Sequence, residues 1–253
     1  MADDLAGVDL KLQRAKFYLA HLKNSIAARC DPNRYRFALK RDPESGKHIL
    51  TAHNVPEVDP QWRLEVGEIL FNLRSALDHL PWQLVILGGS EPGEHTSFPI
   101  RETPFSEKGK LTAPRLDPEI TNAQSAQILK ALDEIQPYYG PDGEPADPCY
   151  SPLWQVNKLN NIDKHRLLLV VLVALDVGQM WWGEKASGGA PDFGLYGDPV
   201  TEGSPVAWFD FHGEEPPPEF DPHPALHVRL SEPVVPWVIS MTDIIGYLKM
   251  VCD

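Results

Sequence analysis

The chain is poor in cysteine and has no long hydrophobic segment, and both absences exclude classes of protein. Its three cysteines, Cys30, Cys149 and Cys252, are widely spaced and odd in number, so we expect neither a disulfide framework nor a zinc site. The longest apolar run spans residues 167–175, about half of the roughly 20 residues that a membrane helix needs. The first residues lack the cationic start of a signal peptide. We therefore expect a cytoplasmic protein without membrane association.

Basic residues are also scarce, above all in the last third of the chain. The protein has 23 Lys and Arg against 36 Asp and Glu, a net charge of −13. Residues 1–167 carry 20 basic and 23 acidic side chains, whereas residues 168–253 carry 3 and 13. An acidic surface repels nucleic acid at long range. Any contact with nucleic acid therefore requires a local basic patch in the first two thirds.

Apolar periodicity predicts four helices in the first two thirds and one at the C-terminus. Apolar residues recur at steps of three and four in segments 8–29, 61–87, 119–135 and 153–166, and from about residue 231 to the end. The pattern is strongest over 61–87, where Pro81 removes one backbone hydrogen bond and should bend the helix. Segment 167–175 fits either a continued helix or a buried strand. We favour a helix that continues into the low 170s.

Alternating segments predict strands. Residues 35–39 and 48–52 form a predicted hairpin, and further strands are predicted at 179–184, 206–211 and 225–230. The predicted fold class is α+β: a helical bundle, a segregated, mostly antiparallel β-sheet and a C-terminal helix. We divide the chain into a mainly helical region, 1–175, which includes the hairpin near 34–53, and a β-rich region, 176–253, which ends in the C-terminal helix. The two regions also fit one integrated domain.

The segment Asn72-Leu73-Arg74-Ser75-Ala76-Leu77-Asp78-His79-Leu80 contains the first candidate site. Arg74 is a permanent cation suited to a phosphate, and His79 can move protons near neutral pH. At 100° per residue these two side chains lie about 140° apart. Arg74 and Asp78 lie on one flank of the apolar stripe of this helix, and His79 lies with Asn72 and Ser75 on the opposite face. The stripe consists of Val66, Leu70, Leu73, Leu77, Leu80, Leu84 and Leu87. The structural alternative is an i,i+4 ion pair between Arg74 and Asp78 and a solvated histidine.

A second polar cluster lies within residues 157–166. Lys164, His165 and Arg166 would form a positive patch, Asp163 could orient a histidine or pair with a cation, and Asn161 adds an amide. The cluster could hold a phosphate or supply a second acid–base group; alternatively, it is a polar helix section that satisfies neighbouring backbone. His212, His223 and His227 could suggest a metal site, and His223 and His227 are four residues apart, but Pro224 and the strand pattern prevent a helical pair of ligands. We expect no metal and no cofactor.

The spacing of Arg74 and His79 resembles the Arg-x4–6-His signature of the HEPN superfamily, helical proteins that include many prokaryotic toxin and antiviral ribonucleases. The resemblance implies a HEPN-like region within 1–175 and a metal-independent endoribonuclease in prokaryotic defence or toxin–antitoxin biology. His79 would be the general acid–base for attack of the ribose 2′-hydroxyl on the adjacent phosphate, and Arg74 would stabilise the charge that develops there. Ser75 takes the place of the polar residue that often follows the arginine.

The resemblance also implies partners. In active members the Arg and His of two protomers converge at a dimer interface, so a homodimer is expected, with RNA as substrate and a cognate antitoxin or other protein as a further partner. The combination of the Arg74 segment with Asn-x-Asp-Lys-His-Arg at 161–166 is also similar to a group of uncharacterised actinobacterial proteins. That second likeness implies no function.

Two functions remain open. The first is the endoribonuclease. The second is a non-catalytic α+β interaction or scaffold protein, in which Arg74–Asp78 and Asp163–Arg166 are structural ion pairs and the acidic last third faces a basic partner. One observable separates them best, which is whether Arg74, His79 and the 160–166 cluster converge in an open groove. An active site needs a second element beside Arg74 and His79, either this cluster or a dimer partner.

Overall fold

The computed structural model of the protein describes residues 5–87, 89, 91–94, 96–103, 130–140, 143–175, 191–218 and 220–232. The strand predicted at 179–184, the C-terminal helix after residue 232 and most of the helix predicted at 119–135 lie outside the described residues. Residues 130–134 of that last segment are helical. The fold class is α+β, as predicted. Within the described part of the chain, no helix combines the length and hydrophobicity needed to cross a membrane.

The chain forms two compact units whose segments alternate along the sequence. The first, here called the helical unit, is Met1–Leu22, Arg63–Leu168 and Glu232–Asp253. The second, here called the sheet unit, is Lys23–Trp62 and Leu169–Ser231. The sequence analysis grouped the hairpin near 34–53 with the helices because it divided the chain into consecutive regions. In the structure this hairpin belongs to the sheet unit, since its strands pair with a strand from the second half of the chain.

Three helices of the described residues lie wholly or mainly in the helical unit. They are α1 (Ala6–Arg29), α2 (Pro60–Leu87) and α3 (Pro152–Asp163), and a short 3-10 turn (Pro148–Tyr150) precedes α3. Val66, Leu70, Leu73 and Leu77 of the predicted apolar stripe of α2 are buried, whereas Leu87 at its end is exposed. Pro81 lies inside the helix. α1 and α2 are antiparallel, because Gly7 lies beside His79 near one end and His21 contacts Glu65 toward the other.

The sheet unit contains a four-stranded and a two-stranded antiparallel sheet. The first has the order β1 (Arg36–Arg41), β2 (His48–His53), β5 (Pro205–Asp210) and β4 (Asp192–Leu195). The second pairs β3 (Val170–Leu175) with β6 (Ala225–Leu230). Burial alternates along β2, with His48, Leu50 and Ala52 buried and the residues between them half-buried. One face of the larger sheet therefore packs on the core, and the other is more open.

The prediction that a helix continues into the low 170s is wrong. α3 ends at Asp163, and Val170–Leu175 is strand β3. Burial reveals a period of two that the sequence conceals: Leu168 and Val170 are buried, whereas Leu167 and Leu169 are exposed. An unbroken apolar run carries no periodicity, so pairing with β6 decides its structure. Strand β4 was not predicted, because only four residues pair and one of them is glycine.

Candidate functional site

Arg74 lies on a face of α2 that is closed by a loop. Its Nη2 donates to Asp78 Oδ1 at 2.8 Å and to the carbonyl oxygen of Phe98 at 2.9 Å. The amide of Phe98 in turn donates to the same Asp78 oxygen at 2.9 Å. Two helix side chains thus satisfy both backbone groups of one loop residue. The arginine is committed to holding this loop on α2.

The closure removes most of the Arg74 side chain from solvent. Only 15% of it is exposed, against 35% of the Asp78 side chain. Burial lowers the pKa of the Arg74 guanidinium below its ordinary value, and the Asp78 carboxylate opposes that shift. Arg74 Nη1 is buried without a hydrogen-bond partner among the described residues. The guanidinium is therefore held and partly desolvated, with only part of its donor capacity used.

The loop over Arg74, residues 96–103, is fixed at further points; we call it the strap. The Phe98 side chain is buried in the helical unit. Gln136 accepts from the amide of Arg101 at 2.9 Å and donates to the carbonyl of Pro99 at 3.0 Å. Glu102 accepts from the Trp154 indole at 2.8 Å. Several hydrogen bonds therefore hold the strap in place, and Arg74 makes one of them.

His79 lies on the other side of α2, against α1. A Cβ on Gly7 would come within 2.5 Å of His79 Nδ1, so a larger residue at position 7 would require the His79 ring to shift. The side chain is half-buried, and it makes no hydrogen bond to another residue of the described chain. One turn along α1 from Gly7, the Lys11 ammonium lies 5.2 Å from the centroid of the Phe71 ring on α2. His79 is thus placed beside a basic helix, away from Arg74.

The other two candidates on this face contribute little chemistry. Asn72 is buried, and its amide donates to the carbonyl of Glu68, one turn earlier, at 2.7 Å. This is a local backbone bond that leaves the amide little freedom for a ligand. Ser75 is half-buried and lies about 40° around the helix from His79, on the same side of α2.

Asp163, at the end of α3, packs directly on the backbone of α2. A Cβ at Gly67 would overlap the Asp163 carboxylate. Asp163 Oδ1 is buried and has no hydrogen-bond partner in the described chain. Burial raises the pKa of Asp163 above its ordinary value, and the negative charge of Glu68 raises it further. The charged form of Asp163 is therefore unfavourable in this position. The predicted ion pair with Arg166 is not formed, because Arg166 binds another carboxylate.

Arg166 pairs instead with Glu232. Its two terminal nitrogens donate to the two carboxylate oxygens at 3.0 and 2.6 Å, and only 1% of the Glu232 side chain is exposed. Lys164 and His165 are exposed, and the Lys164 ammonium is 3.5 Å from the Asn161 amide oxygen. The 161–166 cluster therefore divides: Arg166 is structural, Asp163 faces α2, and Lys164 and His165 face solvent.

The candidate residues do not converge within the protomer. Gly67 and Arg74 are seven residues apart and lie on the same side of α2, so Asp163 and Arg74 share a side. His79 lies about 140° around the helix from Arg74, on the side covered by α1. The open groove that catalysis requires is not formed by these residues of one chain. Among the described residues, no three His, Cys, Asp or Glu side chains are arranged to hold a metal ion.

The sequence analysis missed three residues with structural roles. Glu65 is 2% exposed; its Oε1 is 2.8 Å from His21 Nδ1, and its Oε2 has no hydrogen-bond partner in the described chain. Glu232 and Phe98 are the other two. A glutamate on the buried side of an amphipathic pattern could have been noticed at Glu65, but no local signal connects Phe98 to Arg74 or Glu232 to Arg166.

Comparison with known proteins adds no relative: no family model matches the chain, and no curated protein or solved structure shows significant similarity to it.

Proposed function

We propose that the helical unit is a non-catalytic interaction module that binds another protein chain through the outer face of α1 and α2. The observation that carries this proposal is a group of large apolar side chains exposed on that face. Leu10, Phe17, Phe71, Trp82 and Ile86 are each between 45% and 65% exposed. Contiguous exposed apolar surface on a folded protein marks a binding surface more often than chance.

Helical geometry brings these side chains to one side of the helix pair. Leu10 and Phe17 are two turns apart on α1, and Phe71 and Trp82 are three turns apart on α2, so each pair lies along its helix. The apolar residues that face the core lie on the opposite sides of both helices. The contact between Lys11 and Phe71 joins the two rows. The exposed side chains thus form one surface, which we call the α1/α2 face.

Charged residues surround this surface. Arg14 stacks over Phe17 and Tyr18 on α1, and Glu68 is exposed on α2. An apolar centre with a polar rim is the usual anatomy of a protein–protein interface. The commitment of Arg74 to Asp78 and Phe98 favours this function over catalysis, because a phosphate would have to displace both the carboxylate and the strap.

The test is to place a charge in the centre of the α1/α2 face. We expect Phe17→Asp and Phe71→Asp to abolish a protein complex that the unmodified chain forms, as measured by affinity purification with mass spectrometry and by sedimentation of the purified complex. Tyr150→Asp is the matched control, since Tyr150 is an equally exposed aromatic residue outside the face. Retention of the same partner by all three variants would contradict the proposal.

A specific observation favours a second candidate, the metal-independent endoribonuclease. The His79 imidazole makes no hydrogen bond to another described residue and lies beside α1, which carries Lys11 and Arg14. A histidine beside cations is suited to move the ribose 2′-hydroxyl proton while the cations attract the phosphate. In this function, Arg74 could reach RNA only after the strap moves, or the cation would come from α1.

The nuclease test compares His79→Ala with Ser75→Ala, its neighbour on the same side of α2. We expect His79→Ala to remove cleavage of a single-stranded RNA and Ser75→Ala to retain it. EDTA should have no effect, because no metal takes part. Arg74→Ala should also lose cleavage if Arg74 acts on phosphate. Full activity of His79→Ala, or loss of activity in EDTA, would exclude this candidate.

A further inference from the structure

The open face of the four-stranded sheet carries cations in a protein that is otherwise acidic. The side chains that alternate with the buried ones place Arg36 and Lys40 of β1 on this face. Both are exposed. Lys47, at the end of the hairpin turn, reaches the same face, because its ammonium lies 3.7 Å from the centroid of the Trp208 ring. These three residues form a local basic patch within the first third of the chain.

Trp208 lies in the middle of this face. The register aligns Lys40 with Ile49, Ile49 with Trp208, and Trp208 with Gly194, so the four form a row across the sheet. A Cβ on Gly194 would come within 2.6 Å of Trp208 Nε1. The indole can therefore lie over the backbone of β4 only because residue 194 is glycine. Among the described residues, the Lys47 ammonium lies over the Trp208 ring.

Apart from Ile49, the side chains that β1 and β2 place on this face are small or polar. Ala38 and Thr51 are paired across β1 and β2, and Arg36 is paired with His53. His53 is held by Glu202, whose Oε1 lies 3.0 Å from its Nδ1. Ile49 is the neighbour of Trp208 on β2, and the small side chains of Ala38 and Thr51 lie farther along β1 and β2. Carboxylates lie at both ends of the face: Asp192 of β4 pairs with Asp210 of β5 at one end, and Glu202 lies beside His53 at the other. An anionic ligand would therefore follow the cations of β1 and of the hairpin turn.

We propose that this face, formed by Arg36, Lys40, Lys47 and Trp208, binds single-stranded nucleic acid. Phosphates contact the three cations, and one base displaces the Lys47 ammonium and stacks on the Trp208 ring. Aromatic stacking combined with a cationic track is the general means by which proteins bind single strands without base specificity. The four-residue spacing of Arg36 and Lys40 sets two cations roughly 13 Å apart along one strand, in line with an extended backbone. The site is independent of the α1/α2 face and of any nuclease activity.

The test measures fluorescence anisotropy of a labelled twelve-nucleotide single-stranded oligouridylate with the full-length protein. We expect Lys40→Glu to weaken binding by at least about tenfold, because a phosphate contact is replaced by repulsion. Arg41→Glu is the matched control: it makes the same charge change one residue along, on the opposite face of β1, where Arg41 contacts Glu215. Equal weakening by the two variants would overturn the proposal, since net charge alone would then explain it.

Two further measurements separate nucleic acid from other anions. Affinity for the oligouridylate should fall with salt, with a slope of log affinity against log salt of about −2 for three phosphate contacts to a single strand. Trp208→Leu should weaken binding about tenfold, with the circular dichroism spectrum as a check on folding. Displacement of the oligouridylate by an equally charged polyglutamate would assign the face to acidic peptides and overturn the nucleic-acid proposal. Failure of the unmodified protein to bind at low salt would also overturn it.

Discussion

Arg74 and His79, the two residues of the candidate motif, lie on different sides of α2 and have different surroundings. On the Arg74 side, the guanidinium bonds to Asp78 and to the strap, and Asp163 packs against Gly67. On the His79 side, the imidazole lies against α1 without a hydrogen bond to another described residue. One side is closed by polar bonds across the chain, whereas the other is bordered by exposed aromatic residues. A shared helix therefore does not imply a shared function for two polar side chains.

The contrast indicates where each kind of function belongs. A closed network of hydrogen bonds stabilises one arrangement and resists ligands, because a ligand would have to displace the present partners of Arg74, Asp78 and Phe98. A half-buried histidine beside exposed Phe71 and Trp82 leaves surface for a partner. If this comparison is correct, substitutions on the Arg74 side should reduce stability, and substitutions on the His79 side should reduce binding.

The largest expected effect is at the anchor of the strap. Phe98→Ala should lower the free energy of unfolding by about 3–5 kcal/mol, because it empties a buried aromatic site and loosens the loop that closes over Arg74. Phe71→Ala, at an exposed aromatic residue of the α1/α2 face, should change it by less than about 1 kcal/mol. Urea denaturation followed by circular dichroism measures both. Similar losses in the two variants would remove the distinction between the sides.

The second effect concerns the motif residues themselves. Arg74→Ala should cost about 2–3 kcal/mol, because it leaves the Asp78 carboxylate without its cation and the Phe98 carbonyl without its donor. This cost is below the range for a fully buried pair, because Asp78 is partly exposed. His79→Ala should cost less than about 1 kcal/mol. Thermal or urea unfolding of the two purified variants provides the measurement. A larger loss for His79→Ala than for Arg74→Ala would reverse the assignment of the structural side.

Much of the fold can be predicted from local sequence patterns, whereas the contacts that close the Arg74 side of α2 cannot. The stripe of α2 and the hairpin of β1 and β2 were predicted, because each repeats with its own period over many residues. The pairing of Arg74 with Asp78 was also predictable from i,i+4 spacing. The bond from Arg74 to Phe98 spans 24 residues, and no sequence period encodes a contact of that kind.

The same limit explains the errors. Residues 167–175 are apolar throughout, so strand β3 was indistinguishable from a helix until its pairing with β6 was known. Arg166 was assigned to Asp163, its neighbour in sequence, whereas Glu232 lies 66 residues away in the chain. Local reasoning supplies near neighbours as partners, and burial of a remote carboxylate overrides it.

The third effect compares the two glycines under the candidate side chains. Gly67→Ala should lower the free energy of unfolding by about 1–2 kcal/mol, because the new methyl group must push the Asp163 carboxylate off the α2 backbone. Gly7→Ala should fall within about 0.5 kcal/mol of zero, since alanine favours the helix and the partly exposed His79 ring can rotate away. Chemical denaturation of both variants decides this. A strongly destabilised Gly7→Ala would show that His79 is also held rigidly.

The smallest effect is the pH dependence of Asp163, which tests whether the Arg74 side is closed around an unpaired charge. The folded-state pKa of this carboxyl is raised by burial and by Glu68. The folded protein therefore binds a proton more readily than the unfolded chain, and the contribution of Asp163 to stability falls as pH rises from the unfolded pKa through the folded pKa. Asp163→Asn removes that penalty. The variant should be slightly more stable than the unmodified protein at about pH 7, by less than about 1 kcal/mol, and the difference should disappear toward about pH 3.5. Urea titrations across this range measure it, with Lys164→Ala as the exposed neighbouring control. A variant that is less stable at neutral pH would mean that the Asp163 carboxylate has a cationic partner, and the two sides of α2 would then differ less than the geometry indicates.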